Sequence, residues 1–368
     1  MRRSVHNDAK TVICLVIPSL QAGGMERVMS EIATFFSRRE ELETHLVLYG
    51  KSRETFYNVP ENIITTVPTF RFNSKWRLFY TLKTILFLRK TIMKINPGSI
   101  LSFGEIWNSF VLLSLFGLRY PVFVSDRCQP GKKLGKINEL LRRILYPRAS
   151  GIIAQTQRAE EFYRIHLHFN NIKVIGNPIK TINNRKNIVR ENIVLSVGRL
   201  IDTKHHDRLI ELFTDISMPG WQLVIVGYDH LKQNTHEKLK RIIDLKNAGD
   251  YIKLEGKQTD VEAYYLKSKI FASASSSEGF PNAIGEAMSA GLPVIAIDCV
   301  AGPSELITGG LNGFLIPVND YDLFKEKLEV LMSDEQLREQ LGTEARKSIT
   351  SFSPEAIGSK YLDFILGR

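Results

Sequence analysis

The sequence predicts an α/β protein with two tandem domains, each built on a doubly wound parallel sheet. Strand-like and helix-like segments alternate along nearly all of the 368 residues, which is typical of parallel sheets covered by helices. The chain is also longer than one hydrophobic core usually supports, so two domains are expected. Ligands of such sheets bind at the carboxyl ends of the strands, which predicts a binding cleft between the domains.

The first half opens as a β-α-β unit. The apolar run "TVICLVIPSL" predicts a buried strand, "MERVMSEIATFFSRR" a helix and "ETHLVLYG" a second strand. The basic residues before the first strand lack the long apolar run and the cleavage site of a secretory leader, so the start is interpreted as core strand. Four more short strands are predicted in this half: "GSILSFG", "YPVFVSD", "GIIAQT" and "IKVIGNP".

A polar, asparagine-rich segment at 180–192, "KTINNRKNIVREN", interrupts the alternation and predicts the domain boundary. Residues 1–180 then form the first domain, which a C-terminal helix at 353–368 completes, and residues 181–352 form the second. Helical segments such as "DVEAYYLKS" and "DYDLFKEKLEVLM" separate the strands of the second domain. Those predicted strands are "IVLSVG", "WQLVIVG", "YIKLEG", "IFASAS", "LPVIAI" and "GFLIPV".

Composition excludes several classes of protein. Cys14, Cys128 and Cys299 lie far apart without a CxxC pair, which argues against a disulfide framework or a zinc site and fits a reducing cytosol. The longest apolar run, "FVLLSLFGL", is about half the roughly 18 residues that a membrane span needs. The net charge of +10 is uneven, since residues 1–180 hold 27 Lys/Arg against 13 Asp/Glu. This excess predicts an anionic partner for the first half.

Two carboxylates flank a turn in the stretch "SSSEGFPNAIGEAMSAG" at 275–291. Glu278 lies on the predicted loop, and Asn282 and Gly291 suit the N-cap and the end of the helix that follows. Glu286 falls about one turn along that helix, whose start can bind phosphate. A nucleotide sugar would use all three parts, with its diphosphate at the helix start, its ribose on Glu286 and its sugar on Glu278.

The segment "EGFPNAIGE" resembles the E-x7-E element of retaining GT-B glycosyltransferases, especially family 4, and "AMSAGLPVIA" resembles the family's continuation. The resemblance implies a GT-B fold, in which two Rossmann-like domains face each other across a cleft. It also implies an acceptor-side first domain and a second domain that binds the nucleotide sugar. The donor-binding residues that it implies are Gly23, Gly24, Gly198, Gly279, Phe280, Pro281, Asn282, Ala283 and Glu286.

Other segments extend the resemblance over nearly the whole chain. "VGRLIDTKHHDRLIELF" is similar to the family's G-R-x4-K segment, in which Arg199 and Lys204 would neutralise the donor diphosphate without a metal. His205 stands where the family usually has glycine, which predicts a change of local backbone shape. "PSLQAGGMERVM" is similar to the N-terminal glycine loop, where Gly23 and Gly24 would let the backbone approach the ligand. "GNPI" and "AGPSELI" are also similar to family segments.

The sequence departs from many relatives in the loop "VFVSDRCQP", which lacks the family's histidine. Asp126 is the predicted catalytic residue on the acceptor side, beside Arg127, and Glu105 is the alternative. The chain's "HLH" and "HH" pairs lack partners at metal-ligand spacing and are interpreted as surface or core histidines. No metal site is predicted.

Two basic helical segments account for much of the positive charge. In residues 132–146 an apolar arc lies opposite Lys132, Lys136 and Arg143, and in residues 76–94 lysines share a stripe with aromatic residues. Such faces suit an anionic membrane surface, although a core helix with a solvated basic face is the alternative. The apolar arc is Leu134, Ile137, Leu140, Leu141, Ile144 and Leu145, and the stripe is Lys83, Lys90, Lys94, Trp76, Tyr80 and Phe87.

The sequence therefore predicts a retaining, metal-independent hexosyltransferase without a cofactor. Its donor would be a UDP or GDP sugar, and its acceptor a glycan linked to a polyprenyl pyrophosphate at the inner face of the cell membrane, in surface polysaccharide synthesis. An epimerase or a glycogen-type phosphorylase on a similar fold is an alternative, but neither the epimerase's acid and base nor the phosphorylase's pyridoxal lysine is evident. A nucleic-acid-binding protein is the alternative from another class, without a recognisable motif.

Overall fold

The structure is a computed structural model that describes residues 10–51, 55–184, 187–229 and 233–368. The chain forms two compact units. Unit 1 contains the described residues up to Pro178 together with Pro354–Arg368, and unit 2 is Ile179–Ser353. The basic residues ahead of Lys10 and residues 185–186 of the asparagine-rich segment lie outside the described residues.

Unit 1 is built on a seven-stranded sheet in the order β3-β2-β1-β4-β5-β6-β7. Each pairing between its described strands is parallel. The strands are β1 (Thr11–Ile17), β2 (Leu42–Leu48), β3 (Ile64–Thr66), β4 (Ser99–Phe103), β5 (Val122–Ser125), β6 (Gly151–Ala154) and β7 (Ile172–Val174). The helices between them are α1 (Gly24–Ser37), α2 (Arg77–Ile95), α3 (Glu105–Ser114), α4 (Lys136–Leu145) and α5 (Gln157–Leu167).

Unit 2 is built on a six-stranded sheet in the order β10-β9-β8-β11-β12-β13, again with parallel pairings between the described strands. The strands are β8 (Ile193–Val197), β9 (Gln222–Val226), β10 (Ile252–Gly256), β11 (Ile270–Ser273), β12 (Val294–Ile297) and β13 (Gly313–Ile316). The helices are α6 (His206–Ile216), α7 (Thr235–Leu245), α8 (Val261–Lys267), α9 (Asn282–Ser289), α10 (Pro303–Leu306), α11 (Tyr321–Ser333) and α12 (Glu335–Ser348).

The last helix, α13 (Pro354–Leu366), belongs to unit 1, where it packs against α1. Gly358 makes this approach possible, since a Cβ atom there would lie 2.3 Å from the ring of Phe35. The final helix in sequence therefore covers a face of the first sheet.

The predicted α/β architecture is confirmed, with two Rossmann-like units. Strands such as β8 are apolar at successive positions because helices cover both faces of the sheet, so neighbouring residues of one strand enter opposite cores. The sequence does not predict β3, since it is three residues long and its Ile64 is 48% exposed. No helix in the described ranges is both long and apolar enough to cross a membrane.

Helices α2 and α4 of unit 1 each leave several apolar side chains in solvent. On α2 these are Leu78, Leu82 and Leu86, which are 83%, 61% and 55% exposed. The predicted aromatic stripe lies on another face of α2, where Tyr80 and Phe87 pack against Phe70. Phe70 therefore covers part of the stripe, whereas its first ring, Trp76, is 68% exposed.

Helix α4 begins at Lys136, four residues later than the predicted helical segment, because Gly135 adopts a positive φ of 86° ahead of it. Its apolar arc divides into two faces. Leu145 is buried, whereas Ile137, Leu140 and Ile144 are 76%, 58% and 49% exposed. The inner face of α4 also buries Arg142. The helix thus has an inner face that contains a cation and an outer face that exposes apolar side chains, which differs from a core helix with a solvated basic face.

Candidate functional site

Two of the sequence motifs meet at the carboxyl edge of the unit 2 sheet. The segment "GRLIDTK" follows β8 and "SSSEGFPN" follows β11, and these two strands are neighbours. The strand order changes direction at this point, which is where ligands of doubly wound sheets bind. The backbone N–H of Ser276 donates to the carbonyl of Thr203 at 2.9 Å and joins the two loops.

An ion pair lies at this junction. Lys204 Nζ donates to Glu278 Oε1 at 2.6 Å, and the two side chains are 19% and 12% exposed. Partial burial makes the attraction between them stronger than that of a surface pair, because water screens it less. The topology therefore brings together two residues 74 positions apart that the sequence predicts as catalytic. Arg199 is exposed and follows Gly198 at the end of β8.

The loop that carries Lys204 ends at a strained residue. His205 adopts a left-handed conformation, with φ 48° and ψ 42°, which glycine adopts without strain. The histidine thus occupies a backbone conformation suited to the glycine that it replaces in the family pattern. Its neighbour His206 is buried, and burial together with the charge of Lys204 lowers the pKa of His206 to about 4.

We expect His205→Gly to stabilise unit 2. Glycine relieves the left-handed strain of about 1–2 kcal/mol, but it loses about 0.5–1 kcal/mol of backbone entropy on folding. The net gain should therefore be about 0.5–1 kcal/mol, or about 1–4 °C in Tm by differential scanning calorimetry. His205→Ala keeps the strain and is the control. A Tm for the glycine variant at or below that of the alanine variant would contradict this account.

The segment after β11 leads into α9. Asn282 is the first residue of the helix and Pro281 occupies the cap position, which corrects the prediction of Asn282 as N-cap. The proline ends the loop one residue earlier than the sequence pattern suggests. Gly291 follows the helix with a φ of 76°, as predicted for its end. The first turn of such a helix presents backbone N–H groups and the positive end of its dipole.

Glu286 lies on α9, partly buried, and accepts a hydrogen bond of 2.9 Å from the hydroxyl of Tyr265. The ring of Tyr265 is buried, so this bond fixes the orientation of the carboxylate from within the unit. Tyr265 is a positioning residue that the sequence motifs do not reveal, because it lies on α8, outside them.

Close contacts explain three glycines around the site. A Cβ atom at Gly227 would lie 1.8 Å from the carbonyl oxygen of Gly198, so the ends of β8 and β9 approach only without a side chain. At Gly302, with φ 116°, it would lie 2.6 Å from Pro281 Cδ. At Gly285 it would lie 2.7 Å from Ile179 Cδ1. The "AGPSELI" and "GNPI" segments therefore support the loop and the helix of the site.

In unit 1, the predicted glycine loop follows β1 and begins α1. Gly23 is the N-cap, with an extended φ of −170°, and Gly24 is the first helical residue. A Cβ atom at Gly24 would meet no atom within 4 Å. Neither glycine has the positive φ that would require glycine for backbone reasons. The open space at Gly24 is therefore available to a ligand.

We expect Gly24→Val to fold normally but to lose most activity, if the ligand approaches this backbone as predicted. The isopropyl group has room in the folded protein, while it would occupy space that the ligand needs. The change in kcat/KM is expected to be about tenfold or more, the cost of misplacing a substrate. Gly249→Val is the matched control, since Gly249 is equally open and lies in unit 2. Equal activity of both variants would show that Gly24 serves only the turn.

The structure places Asp126 in the core of unit 1 rather than at a substrate surface. Its side chain is 3% exposed and accepts hydrogen bonds from the hydroxyls of Tyr146 and Tyr163 and from Asn108 Nδ2. Arg142 NH1 lies 3.8 Å away. Burial, followed by the nearby charge of Glu105, raises the pKa of Asp126 to about 6. These contacts disfavour the predicted catalytic role and indicate that Asp126 holds three elements together.

The neighbouring polar residues are also engaged. Glu105 Oε1 accepts from the backbone N–H groups of Arg127 and Cys128. The guanidinium of Arg127 donates to Asn177 Oδ1 at 2.6 Å and to the hydroxyl of Tyr361 at 3.1 Å. Glu105 and Arg127, the other candidates for the acceptor side, therefore also have structural partners. Arg127 connects "GNPI" to α13. Among the described residues, no three side chains of metal-binding types are grouped to hold an ion.

Two family models match the chain, one for each half. Residues 22–182 match the model described as Glycosyltransferase Family 4. Residues 179–348 match the model described as Glycosyl transferases group 1. The second match contains both of the motifs that meet at the unit 2 sheet edge.

The chain is similar in sequence to bacterial glycosyltransferases. It is 28% identical to the amylovoran biosynthesis glycosyltransferase AmsD of Erwinia amylovora over 353 residues, which are 94% of this chain and 96% of AmsD. It is 24% identical over 361 residues to the α-1,4-N-acetyl-D-galactosaminyltransferase of Campylobacter jejuni whose name gives a diNAcBac-PP-undecaprenol acceptor. This match covers 96% of this chain and 98% of that protein.

Solved structures share the fold of the chain. The lipopolysaccharide outer core galactosyltransferase WaaB superposes with a TM-score of 0.80 at 19% identity, covering 97% of this chain and 99% of WaaB. Anabaena HepE in complex with UDP superposes with a TM-score of 0.78 at 18% identity, covering 97% of this chain and all of that one. The arrangement of helices and strands is thus that of the GT-B enzymes.

Proposed function

The chain is a GT-B glycosyltransferase, and from this premise we propose that it transfers a hexose, with retention, from a UDP or GDP sugar to a hydroxyl group of a glycan. The observation that carries the proposal is the Lys204–Glu278 pair at the edge of the unit 2 sheet, beside the start of α9. A cation, a carboxylate and a helix N-terminus together match a diphosphate joined to a sugar. The epimerase alternative receives no support from the relatives.

Charge develops on the diphosphate as the glycosidic bond breaks, and the proposed site supplies positive groups for it. Lys204 would turn from Glu278 to the diphosphate, assisted by Arg199 and the N–H groups at the start of α9. These groups would replace the charge that a divalent metal supplies in other transferases. Glu278 would then orient the hydroxyls of the sugar, and Glu286 would bind the ribose. The acceptor hydroxyl would attack from the face that the diphosphate leaves, and its proton would pass to the departing diphosphate oxygen.

We further propose a lipid-pyrophosphate-linked acceptor. Two Campylobacter jejuni relatives, at 24% identity each, carry names that give an acceptor on diphospho-undecaprenol. The positive excess of residues 1–180 supports such an acceptor, because positive charge on the protein attracts the negative charge of the pyrophosphate. This acceptor would place the enzyme at the inner face of the cell membrane, in the synthesis of a surface polysaccharide.

The exposed apolar faces of α2 and α4 support contact with that membrane. Leu78, Leu82 and Leu86 on α2 and the Ile137–Ile144 face of α4 lie on helices that both pack against α3. Exposed apolar groups of this number are unusual on a monomeric surface, and cationic neighbours suit anionic lipid headgroups. The helices would lie on the bilayer rather than cross it.

We expect Leu82→Glu to weaken binding to vesicles of phosphatidylglycerol and phosphatidylcholine about tenfold, because it removes an exposed apolar side chain that the membrane would cover and adds repulsion from the anionic surface. Co-sedimentation of the purified protein with vesicles measures the change. Leu245→Glu is the matched control, since Leu245 is also exposed, at 84%, but lies in unit 2. If both variants bind vesicles as the wild type does, α2 is not the membrane contact.

The proposed reaction is tested in two steps. A thermal-shift panel with UDP, GDP, ADP and CMP and their sugar conjugates, in EDTA, identifies the donor, since a ligand of the native state raises Tm. The identified radiolabelled donor is then incubated with lipid-pyrophosphate-linked saccharides, and label in the lipid phase is counted. NMR of the product gives the anomeric configuration. We expect one nucleotide to stabilise the protein and this stabilisation to be lost in Glu286→Ala. We also expect transfer of the sugar with retention of its anomeric configuration. The absence of transfer to any saccharide would refute the proposal.

A further inference from the structure

A cavity of about 560 Å³ lies in unit 2, at the edge of the sheet opposite the candidate site. Lys269 and Pro293 line it and directly precede β11 and β12, so it opens at the amino ends of these strands. Helix α12 and the residues that follow α9 form further walls. Its volume falls within the range of about 300–1,000 Å³ that is typical of small-molecule sites.

The fold brings three cations to this cavity from separate parts of the chain. Arg190 precedes β8, Lys269 precedes β11 and Arg346 lies on α12. The two arginines border the same residue, since a Cβ atom at Gly291 would lie 3.8 Å from Arg190 Nη2 and 3.9 Å from Arg346 Cδ. Burial, followed by the charge of Arg346, lowers the pKa of Arg190. The cavity therefore gathers positive charges that repel one another.

The described residues that accept hydrogen bonds from these three cations are neutral. Among the residues that the structure describes, no carboxylate forms an ion pair with any of them. The oxygen atoms that accept from Arg190, Lys269 and Arg346 include those of Ala290, Asn192 and Ile182, at 2.6, 2.9 and 2.7 Å. A partly buried positive charge without a countercharge is costly. Phosphate would supply the countercharge, and the planar fork of a guanidinium matches its oxygens.

The cavity also contains carboxylates, on the same face of α12 as Arg346. Glu335 lies 3.9 Å from the buried Arg338, whereas Glu339 has no cation within ion-pair distance among the described residues. Glu339 and Arg346 are separated by about 10 Å along the helix, with Thr343 between them, which is comparable with the length of a hexose phosphate. Carboxylates accept hydrogen bonds from hydroxyl groups and repel phosphate. The cavity thus suits a ligand with a phosphate at one end and hydroxyl groups at the other.

We propose that this cavity is a second binding site, which takes a hexose phosphate. The phosphate oxygens would accept hydrogen bonds from Arg190, Lys269 and Arg346, and the sugar hydroxyls would donate to Glu339. Inorganic phosphate would leave the carboxylate unused, an uncharged sugar would leave the three cations without a countercharge, and a polyphosphate would bring negative charge against Glu339. The cavity lies at the other edge of the sheet from the Lys204–Glu278 pair, so its ligand is neither the donor nor the acceptor of the proposed reaction.

Isothermal titration of the full-length protein with glucose 6-phosphate tests the proposal. Glucose and inorganic phosphate serve as probes of the two halves, and each should bind about tenfold or more weakly than glucose 6-phosphate, since each lacks one set of charge-assisted hydrogen bonds. The titration is repeated with Lys204→Met, which removes a cation of the candidate site. Unchanged binding is expected, and loss of binding in this variant would assign the ligand to the candidate site and overturn the proposal.

Variants of the lining residues distinguish the two ends of the ligand. Arg346→Ala should weaken glucose 6-phosphate about tenfold and Lys269→Ala about threefold or more. The lysine variant decides the test if Arg346→Ala does not fold, because Lys269 is bonded only to an exposed asparagine, Asn192. Glu339→Gln should weaken glucose 6-phosphate about threefold but leave inorganic phosphate unchanged or tighter, because it removes a hydroxyl acceptor together with a charge that repels phosphate.

Lys347→Ala is the matched control, because Lys347 follows Arg346 on α12 but is 78% exposed and does not line the cavity. Its binding should stay within about twofold of wild type. The absence of measurable binding by wild type would overturn the proposal, as would equal binding by wild type, Arg346→Ala and Lys269→Ala. Inorganic phosphate that binds as tightly as glucose 6-phosphate, or Glu339→Gln that tightens both, would also overturn it by indicating an unselective anion site. These titrations need no sugar transfer, so they test the cavity independently of the proposed reaction.

Discussion

Glu278→Gln is expected to reduce kcat by about 10²–10⁴-fold, the range that removal of a charged or general-acid–base group commonly produces. Glutamine has the same shape but no negative charge, so it would neither balance Lys204 in the free enzyme nor hold the sugar hydroxyls with charge-assisted hydrogen bonds. Steady-state transfer of label from the identified donor measures the change. The donor KM should change less than kcat, since the diphosphate and ribose contacts remain.

The fold should survive this substitution. Glu278 forms one ion pair, whose side chains are 19% and 12% exposed, so its loss should cost more than the about 1 kcal/mol or less of a surface pair and no more than the about 3–5 kcal/mol of a fully buried one. Glu262→Gln is the matched control, because Glu262 also pairs with a lysine of unit 2, Lys180, but on the surface. Near-normal turnover of Glu278→Gln would eliminate the proposed role of the carboxylate. Loss of turnover together with a collapsed circular dichroism spectrum would assign the residue to structure.

Lys204→Met is expected to lower kcat by about 10²–10³-fold, which is the usual cost of losing one donor to a developing oxyanion. Methionine fills much of the space of the lysine stem but has no charge, and Glu278 would then be left without its cation. Binding of the free nucleoside diphosphate should also weaken, because the proposed contact exists in both the substrate and the product complex. Transfer kinetics and titration calorimetry with the diphosphate measure the two effects.

Lys267→Met is the control for this prediction, since Lys267 pairs with Glu191 on the exposed surface of unit 2 and should keep wild-type kinetics. A double variant, Lys204→Met with Glu278→Gln, tests whether the pair acts as a unit. Its loss should be much smaller than the product of the two single losses, because residues that act together are non-additive. Fully multiplicative losses would show that the ion pair has no part in the reaction.

The place of the candidate site in unit 2 was largely predictable because its motifs are short and local. Glu278, Pro281 and Glu286 lie within nine residues, and the alternation of strands and helices indicates which edge of a parallel sheet they occupy. The partner Lys204 also follows a strand, so its position at the same edge follows from the fold class. The cap of α9 was wrong by one residue, and nothing in the local motif shows that Pro281 lies close to distant Gly302.

The acceptor side was much less predictable. Asp126 is held by two tyrosines from different elements and by Asn108 of α3, and nothing in the sequence around Asp126 indicates that they converge. Helix periodicity likewise identifies the apolar arc of α4 without showing which part of it is covered. The answer depends on Arg142, which turns inward beside Asp126 and so leaves Ile137 and Leu140 in solvent. Local sequence patterns do not predict packing between residues that are far apart in the chain.

The Lys204–Glu278 ion pair has a consequence for the end of each turnover. If Lys204 binds the diphosphate as proposed, Glu278 would compete with the spent nucleoside diphosphate for Lys204 once the sugar has left, and it would act as an internal displacer of the product. Product inhibition should therefore be stronger in Glu278→Gln than in wild type, which inhibition constants for the diphosphate would show. In the wild type, the same carboxylate that orients the substrate would clear the site for the next donor.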